Sequence, residues 1–157
     1  MTGLDRLGVG RVVVLGAGNT LRGDDGAGPA VAARLAELFP ALSFDGGQAP
    51  ENYLGPLRRA APETVVLVDA ADFSGTPGEI RVLSADDIEG VTLGTHGAPL
   101  DGLMRLIEGE TGATTHLVAI QAKNTSLGAA MSEEVRRAVD RLVEDLSRVL
   151  GRCSGQD

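Results

Sequence analysis

A short apolar strand that runs into a glycine-rich, doubly acidic turn constrains this chain more than any other feature. Residues 11–15 read RVVVL, a β-branched run that is too short for a helix. The turn after it, residues 18–28, reads GNTLRGDDGAG, and Pro29 marks the first turn of a following helix. Asp24 and Asp25 therefore lie between the carboxyl end of a strand and the amino end of a helix. Ligands usually bind at this position in open α/β sheets.

Strand-like and helix-like segments alternate along the rest of the chain. Apolar, β-branched runs predict further strands at 42–44, 64–68, 78–83 and 116–121, and the turn residues and alternating charges of 76–82 make the strand at 78–83 an edge strand. Apolar residues at helical spacing predict helices at 29–39, at 52–60, from Leu100 to Ile107 and from Ser132 to Leu150. This order predicts an α/β fold, a three-layer α/β/α sandwich around a mainly parallel, five-stranded twisted sheet.

Composition and charge exclude several kinds of protein. A chain of 157 residues suits a single domain over 1–157, with a core at about 11–150 and short N-terminal and C-terminal tails. Its one cysteine, Cys153, is predicted to lie in a polar tail after the last helix, which leaves no disulfide framework and no thiolate zinc cluster. The net charge of −8 argues against nucleic acid and favours a basic peptide or protein surface as partner. Without a leader-like or membrane-spanning run, the chain is expected to be cytoplasmic.

A nucleotide site is the first alternative for the glycine-rich turn, because Gly16-Ala17-Gly18 begins like a dinucleotide fingerprint. The third glycine of that pattern would fall at position 21, where the chain has Leu21. A pyrophosphate would also face two aspartates with only Arg22 to balance them, so the field has the wrong sign for an anion. The same field suits a metal cation or a basic peptide.

Three residues that are far apart in the sequence are candidates for one metal site. Asp25 and Asp69 each follow an apolar strand, and the carboxyl ends of parallel strands meet at one edge of a sheet. His96 lies in a loop with glycine and proline that opens a helix, from which its imidazole can reach the same crevice. Two carboxylates and one imidazole suit nickel, zinc, manganese or iron with open coordination positions. Each residue alone also fits a structural role, the aspartates as caps or turn residues and His96 as a loop histidine.

Other chemistries find less support. There is no Gly-x-Ser-x-Gly nucleophile elbow, and His116 is predicted to begin a buried strand with a structural role. Asp86 and Asp87 precede a polar turn and are predicted to cap it or to face solvent.

With these residues in view, the chain resembles the hydrogenase maturation proteases, which trim the C-terminal extension of [NiFe]-hydrogenase large-subunit precursors. The resemblance runs from about residue 11 to residue 150. It is strongest at Gly18-Asn19 with GDDGAGP at 23–29, DGG at 45–47, VDA at 68–70, PGEIR at 77–81 and TH at 95–96. The GDDGAGP, APEN (49–52) and PGEIR segments look most like the branch that serves the hydrogenase 3 type of large subunit.

The resemblance implies a role for each matched residue. Asp25, Asp69 and His96 match the triad that recognises nickel and are the implied metal ligands and catalytic residues. Substrate recognition is implied for five residues of the first two loops, namely Asn19, Asp24, Asp45, Gly46 and Gly47. The implied partner is a large-subunit precursor that carries its own nickel, and cadmium or zinc is expected to occupy the same site in vitro. No nucleotide, nucleic acid or membrane partner is implied. One departure is residues 121–125, QAKNT, which are more polar and basic than is typical of the family.

The resemblance implies a mechanism, and two other functions remain as alternatives to it. The client's nickel would polarise the scissile carbonyl or activate a water, while Asp24 or Asp25 accepts the proton. Gly46 and Gly47 would let the substrate strand approach the backbone closely. A non-proteolytic chaperone that only inspects nickel or the precursor is the second hypothesis, and a nucleotide-binding module is the third.

Overall fold

The predicted strands and helices all appear in the structure, a computed structural model that describes residues 3, 4, 7, 10–88, 91–93 and 99–154. The strands are β1 Val12–Gly16, β2 Ser43–Asp45, β3 Thr64–Asp72, β4 Ile80–Leu83, β5 Thr92–Leu93 and β6 Thr114–Gln121. The helices are α1 Ala27–Leu38, α2 Leu54–Ala60, α3 Leu100–Thr111 and α4 Glu133–Ser154. Short 3₁₀ turns precede α1 at Gly23–Gly26 and α2 at Pro50–Tyr53.

A mainly parallel sheet forms the centre of the molecule. Its strand order is β2-β1-β3-β6-β4, and β5 pairs with β3 outside this order. β2, β1, β3 and β6 run parallel, whereas β4 is an antiparallel edge strand, as its alternating charges predict. The five-stranded, mainly parallel sheet predicted from the sequence is therefore confirmed, with the two-residue β5 as an addition.

Helices cover this sheet on both faces. α1 packs against α4, and α2 packs against α3, which gives the predicted three layers. β1 is completely buried and β3 is buried over all but its last residue, which is why their sequences are continuous apolar runs rather than alternating ones. The carboxyl edge of the sheet is thus built on central strands that are buried on both faces.

The two ends of the described chain belong to the core, contrary to the prediction of tails outside 11–150. Leu4 and Leu7 are buried in the main apolar cluster. Cys153 lies inside α4 rather than in a polar tail, and it is buried. Its Sγ is 3.0 Å from the Gly10 carbonyl oxygen and 3.3 Å from the Val12 amide nitrogen. The reason is periodicity, because position 153 continues the apolar stripe of α4 one turn beyond Val149.

Among the helices that the structure describes, none is long and apolar enough to cross a membrane.

His116 is half-buried on β6, and the strand begins at Thr114, two residues earlier than predicted. Burial lowers the pKa of His116 below the ordinary value of 6.5. As the pH falls through about 6.5, the unfolded chain therefore binds a proton before the folded one does, and the folded state loses stability. We expect the free energy of unfolding to fall less between about pH 7.5 and 5.5 in His116→Gln than in the wild type. Urea titrations at both pH values measure this difference. An equal loss in both proteins would contradict the assignment.

Candidate active site at the carboxyl edge of the sheet

The paired aspartates lie in the turn that joins β1 to α1. Asp24 and Asp25 occupy the 3₁₀ turn Gly23–Gly26, and both are completely buried. The Oδ2 atom of Asp25 accepts the backbone N–H of Asn19 at 2.9 Å. The Oδ1 atom of Asn19 in turn accepts the N–H of Leu21 at 2.9 Å. These two bonds hold the Asp25 carboxylate against the start of its own turn, and they give Asn19 a role in shaping the loop.

Asp69 lies on β3, immediately beyond the point at which β1 leaves the sheet. The last β1–β3 pair is Gly16 with Val68, and the N–H of Ala17 then donates to the Val68 carbonyl at 2.9 Å. The sequence predicts that the strand ends at residue 68, but β3 continues to Asp72 because β6 and β5 remain paired with it there. Asp69 is fully buried. The structure thus brings the Asp25 turn and Asp69 to the same edge of the sheet.

Two glycines allow the turn to approach β3 this closely. A Cβ on Gly28 would lie 2.3 Å from the carbonyl oxygens of both Ala17 and Val68. A Cβ on Gly18 would lie 2.0 Å from the Asp25 carbonyl oxygen, and Gly18 also has a positive φ of 145°. The glycines of this loop therefore serve tight backbone contacts within the protein.

His96 lies outside the residues that the structure describes, so its place relative to the aspartates stays a prediction. Over the described ranges, no three His, Cys, Asp or Glu side chains are grouped as a metal site. The nearest described neighbour before it is Leu93 of β5, which pairs with Ala71 of β3. The chain that leads to His96 is therefore anchored two residues beyond Asp69 on the same strand.

Asp24 makes contacts that its sequence position does not suggest. Its Oδ2 accepts the N–H groups of Lys123 at 2.8 Å and Asn124 at 3.0 Å, and the hydroxyl of Ser132 at 2.9 Å. Its Oδ1 accepts the N–H of Ser132 at 2.7 Å. The carboxylate thus ties the loop after β6 to the first turn of the site. No local pattern signals this, because the partners are about a hundred residues away.

The Asp45-Gly46-Gly47 segment follows β2 at the same edge of the sheet. Asp45 is exposed, and its Oδ1 accepts the N–H of Gly47 at 3.0 Å. Gly47 has a positive φ of 54°, a Cβ there would face open space, and its carbonyl accepts the N–H of Gly18 at 2.9 Å. Gly46 packs closely on its own protein, because its N–H donates to the Gly16 carbonyl and a Cβ there would lie 2.9 Å from that oxygen. Of the two glycines, Gly47 is therefore the one with free space around it.

A groove of about 380 Å³ opens beside the paired aspartates. Its walls come from the first turn and α1, from β2 and from the loop after β6, and they include Thr20, Gly26, Ala30, Asp45, Ala129 and Met131. Leu21 and Leu127 stand at the tips of the two loops and are 66% and 69% exposed. Small and apolar side chains thus dominate a surface that adjoins two buried carboxylates.

The second acidic pair behaves as predicted. Asp87 accepts the N–H and the hydroxyl of Ser84 at 3.2 and 2.9 Å, which forms a capping box, and Asp86 pairs with Arg105 on the surface at 2.8 Å. Neither residue belongs to the site.

Comparison with known proteins places this architecture in a family. Residues 30–149 match the family model described as HycI, hydrogenase maturation protease. The chain is 35% identical over 137 residues to the hydrogenase 3 maturation protease of Escherichia coli K12, with 85% of this chain and 87% of that protein covered. The crystal structure of the [NiFe] hydrogenase maturation protease HycI from Thermococcus kodakarensis superposes with a TM-score of 0.85, at 34% identity and covering 96% and 99% of the two chains. The solution structure of the endopeptidase HycI from Escherichia coli gives a TM-score of 0.74 at 30% identity, covering 88% and 90%. The chain belongs to the hydrogenase maturation protease family, whose members are peptide-bond hydrolases.

Proposed function

We propose that this protein is an endopeptidase that removes the C-terminal extension of a nickel-loaded [NiFe]-hydrogenase large-subunit precursor. In this proposal Asp25, Asp69 and His96 recognise the nickel that the client carries. The main support is that two carboxylates separated by 44 positions are both fully buried at one edge of the sheet. Buried carboxylates are costly to keep charged, and a cation compensates that cost. The resemblance to the hydrogenase 3 type indicates the class of large subunit.

His96 fits this arrangement by covalent reach. It follows Leu93 by three residues, which span at most about 11 Å, and Leu93 pairs with β3 two residues beyond Asp69. An imidazole with two carboxylates is a ligand set that suits nickel, and cadmium or zinc as substitutes.

The proposed reaction is hydrolysis of one peptide bond. The client's nickel polarises the scissile carbonyl or activates the attacking water. The water oxygen bonds to the carbonyl carbon, a site carboxylate accepts its proton, and that proton passes to the departing amine. We assign this proton to Asp25 rather than Asp24, because both oxygens of Asp24 already accept hydrogen bonds from the loop after β6. Recognition through the metal makes cleavage depend on correct nickel loading.

We also propose that the processing reaction takes place in the cytoplasm. The one cysteine of the chain, Cys153, is compatible with a reducing compartment of this kind.

Incubation of the purified protein with nickel-loaded and nickel-free precursor tests this function. We expect a mobility shift of the large subunit on a denaturing gel only with the nickel-loaded form. Binding of the loaded precursor without a shift would favour the chaperone hypothesis instead.

The chain's two histidines supply a matched pair of variants for the same assay. His96→Ala is expected to reduce processing by about 10²-fold or more, because it removes the nitrogen ligand of the site. His116→Gln is the control. It should process the precursor at the wild-type rate, because His116 lies on β6 with a structural role. Normal processing by His96→Ala would reject the triad.

A further inference from the structure

The loop after β6, residues 122–132, is attached to the first turn of the site along its whole length. In its middle the N–H of Gly128 donates to the Leu21 carbonyl at 2.8 Å. At its start the Asp24 N–H donates to the Asn124 carbonyl at 2.9 Å, and the Asn124 N–H returns a bond to the Asp24 carboxylate at 3.0 Å. This reciprocal pair fixes the separation and the orientation of the two loops.

Gly23 allows the two loops to touch. Its φ is +53°, and a Cβ at this position would lie 2.5 Å from the Asn124 carbonyl oxygen. The contact is therefore one of backbone on backbone, which leaves little freedom for the loop to shift without breaking its bonds to Asp24.

The Asp24 carboxylate holds the centre of this attachment. Its two oxygens accept four hydrogen bonds from Lys123, Asn124 and Ser132, three at Oδ2 and one at Oδ1. Charge-assisted bonds of this kind are stronger than neutral ones. A carboxylate that is used in this way stabilises a loop.

The same two loops form the walls of the groove. Thr20 and Gly26 lie on one wall, and Ala129 and Met131 lie on the other. Gly23, which also lines the groove, and Gly26 flank the paired aspartates in the first turn. Because small residues line most of the groove, it suits an extended peptide segment better than a helix.

We propose that Asp24 is a positioning residue that fixes residues 123–132 as one wall of the groove that receives the client's extended peptide segment. It acts through that wall and does not contact the reacting atoms. This inference rests on the proposed function, since the client is the precursor named there.

Asp24→Asn and a pair of Ser132 variants test the proposal. Asparagine must place an NH₂ group against N–H donors, so the loop bonds are lost in part. We expect amide hydrogen exchange at residues 123, 124 and 132 to accelerate by about tenfold or more. The KM for nickel-loaded precursor should rise by about tenfold, while kcat and its pH profile stay within about threefold of the wild type.

Ser132→Ala removes the hydroxyl bond to Asp24, together with the 3.4 Å bond that the hydroxyl oxygen accepts from the Val135 N–H, and covers the case in which Asp24→Asn does not fold. Ser132→Ala should shift amide exchange and KM in the same direction as Asp24→Asn but to a smaller extent, and Ser132→Thr, which keeps the hydroxyl, should restore both.

Unchanged amide exchange in Asp24→Asn would refute the attachment of the loop to Asp24. Faster exchange with an unchanged KM would refute the role of the loop as a wall of the client groove. A loss of kcat as large as that of an Asp25 variant would make Asp24 part of the chemistry and overturn the proposal. Failure of the wild-type protein to cut the precursor would contradict the proposed function. The hydrogen-exchange rates would still show whether Asp24 holds the loop after β6.

Discussion

Asp25→Asn is expected to lower kcat for cleavage of nickel-loaded precursor by about 10²–10⁴-fold, with little change in the thermal unfolding midpoint. Asparagine keeps an oxygen that can accept the Asn19 N–H, so the turn retains the bond that shapes it. It cannot take up a proton from the attacking water, and it is a weaker ligand for a cation. Because the substitution also removes a buried negative charge, the fold without client should not lose stability.

The matched control is Asp72→Asn on β3, three residues beyond Asp69. Asp72 is exposed, and its Oδ1 accepts the N–H of Ser74 at 3.0 Å, a bond that asparagine can keep. Single-turnover gel assays at saturating precursor should show normal cleavage by this variant. Asp25→Asn activity within about threefold of the wild type would remove Asp25 from the chemistry.

Gly28→Ala is expected to reduce the free energy of unfolding by about 3 kcal/mol or more. The added methyl group would meet the carbonyl oxygens of Ala17 and Val68, each at 2.3 Å. Both are backbone atoms of the sheet edge, so neither can rotate away, and α1 would have to move off β3. Urea titration of the purified variant measures the loss.

Gly102→Ala is the control, because the same chemical change should have the opposite sign there. Gly102 lies in α3 with no atom within 4 Å of a Cβ. Alanine is the better helix former, and a gain of about 0.5 kcal/mol is expected. If Gly28→Ala unfolds at the wild-type urea concentration, the close approach of α1 to the sheet edge is not a constraint on this fold.

The sequence is sufficient to predict the elements and the arrangement of the sheet. Apolar runs such as Val12 to Leu15 and the helical stripe of α4 have periods that only one kind of backbone satisfies. The alternation of strands and helices then leaves a parallel sheet with its carboxyl ends at one edge, and this places the turn that holds Asp25 and the strand that holds Asp69 at the same edge. Both inferences depend on local pattern and chain direction, which the sequence contains.

Only the tertiary structure decides that Asp24, of the two adjacent aspartates, holds the loop after β6. The partners of Asp24 lie about a hundred residues away, and their approach depends on how β6 and α4 pack after the chain has closed. The burial of Cys153 against Gly10 and the packing of Gly46 on Gly16 have the same origin. Local periodicity determines which face of an element is apolar, but pairings across the whole chain follow from steric fit between elements, and a sequence read segment by segment does not contain that fit.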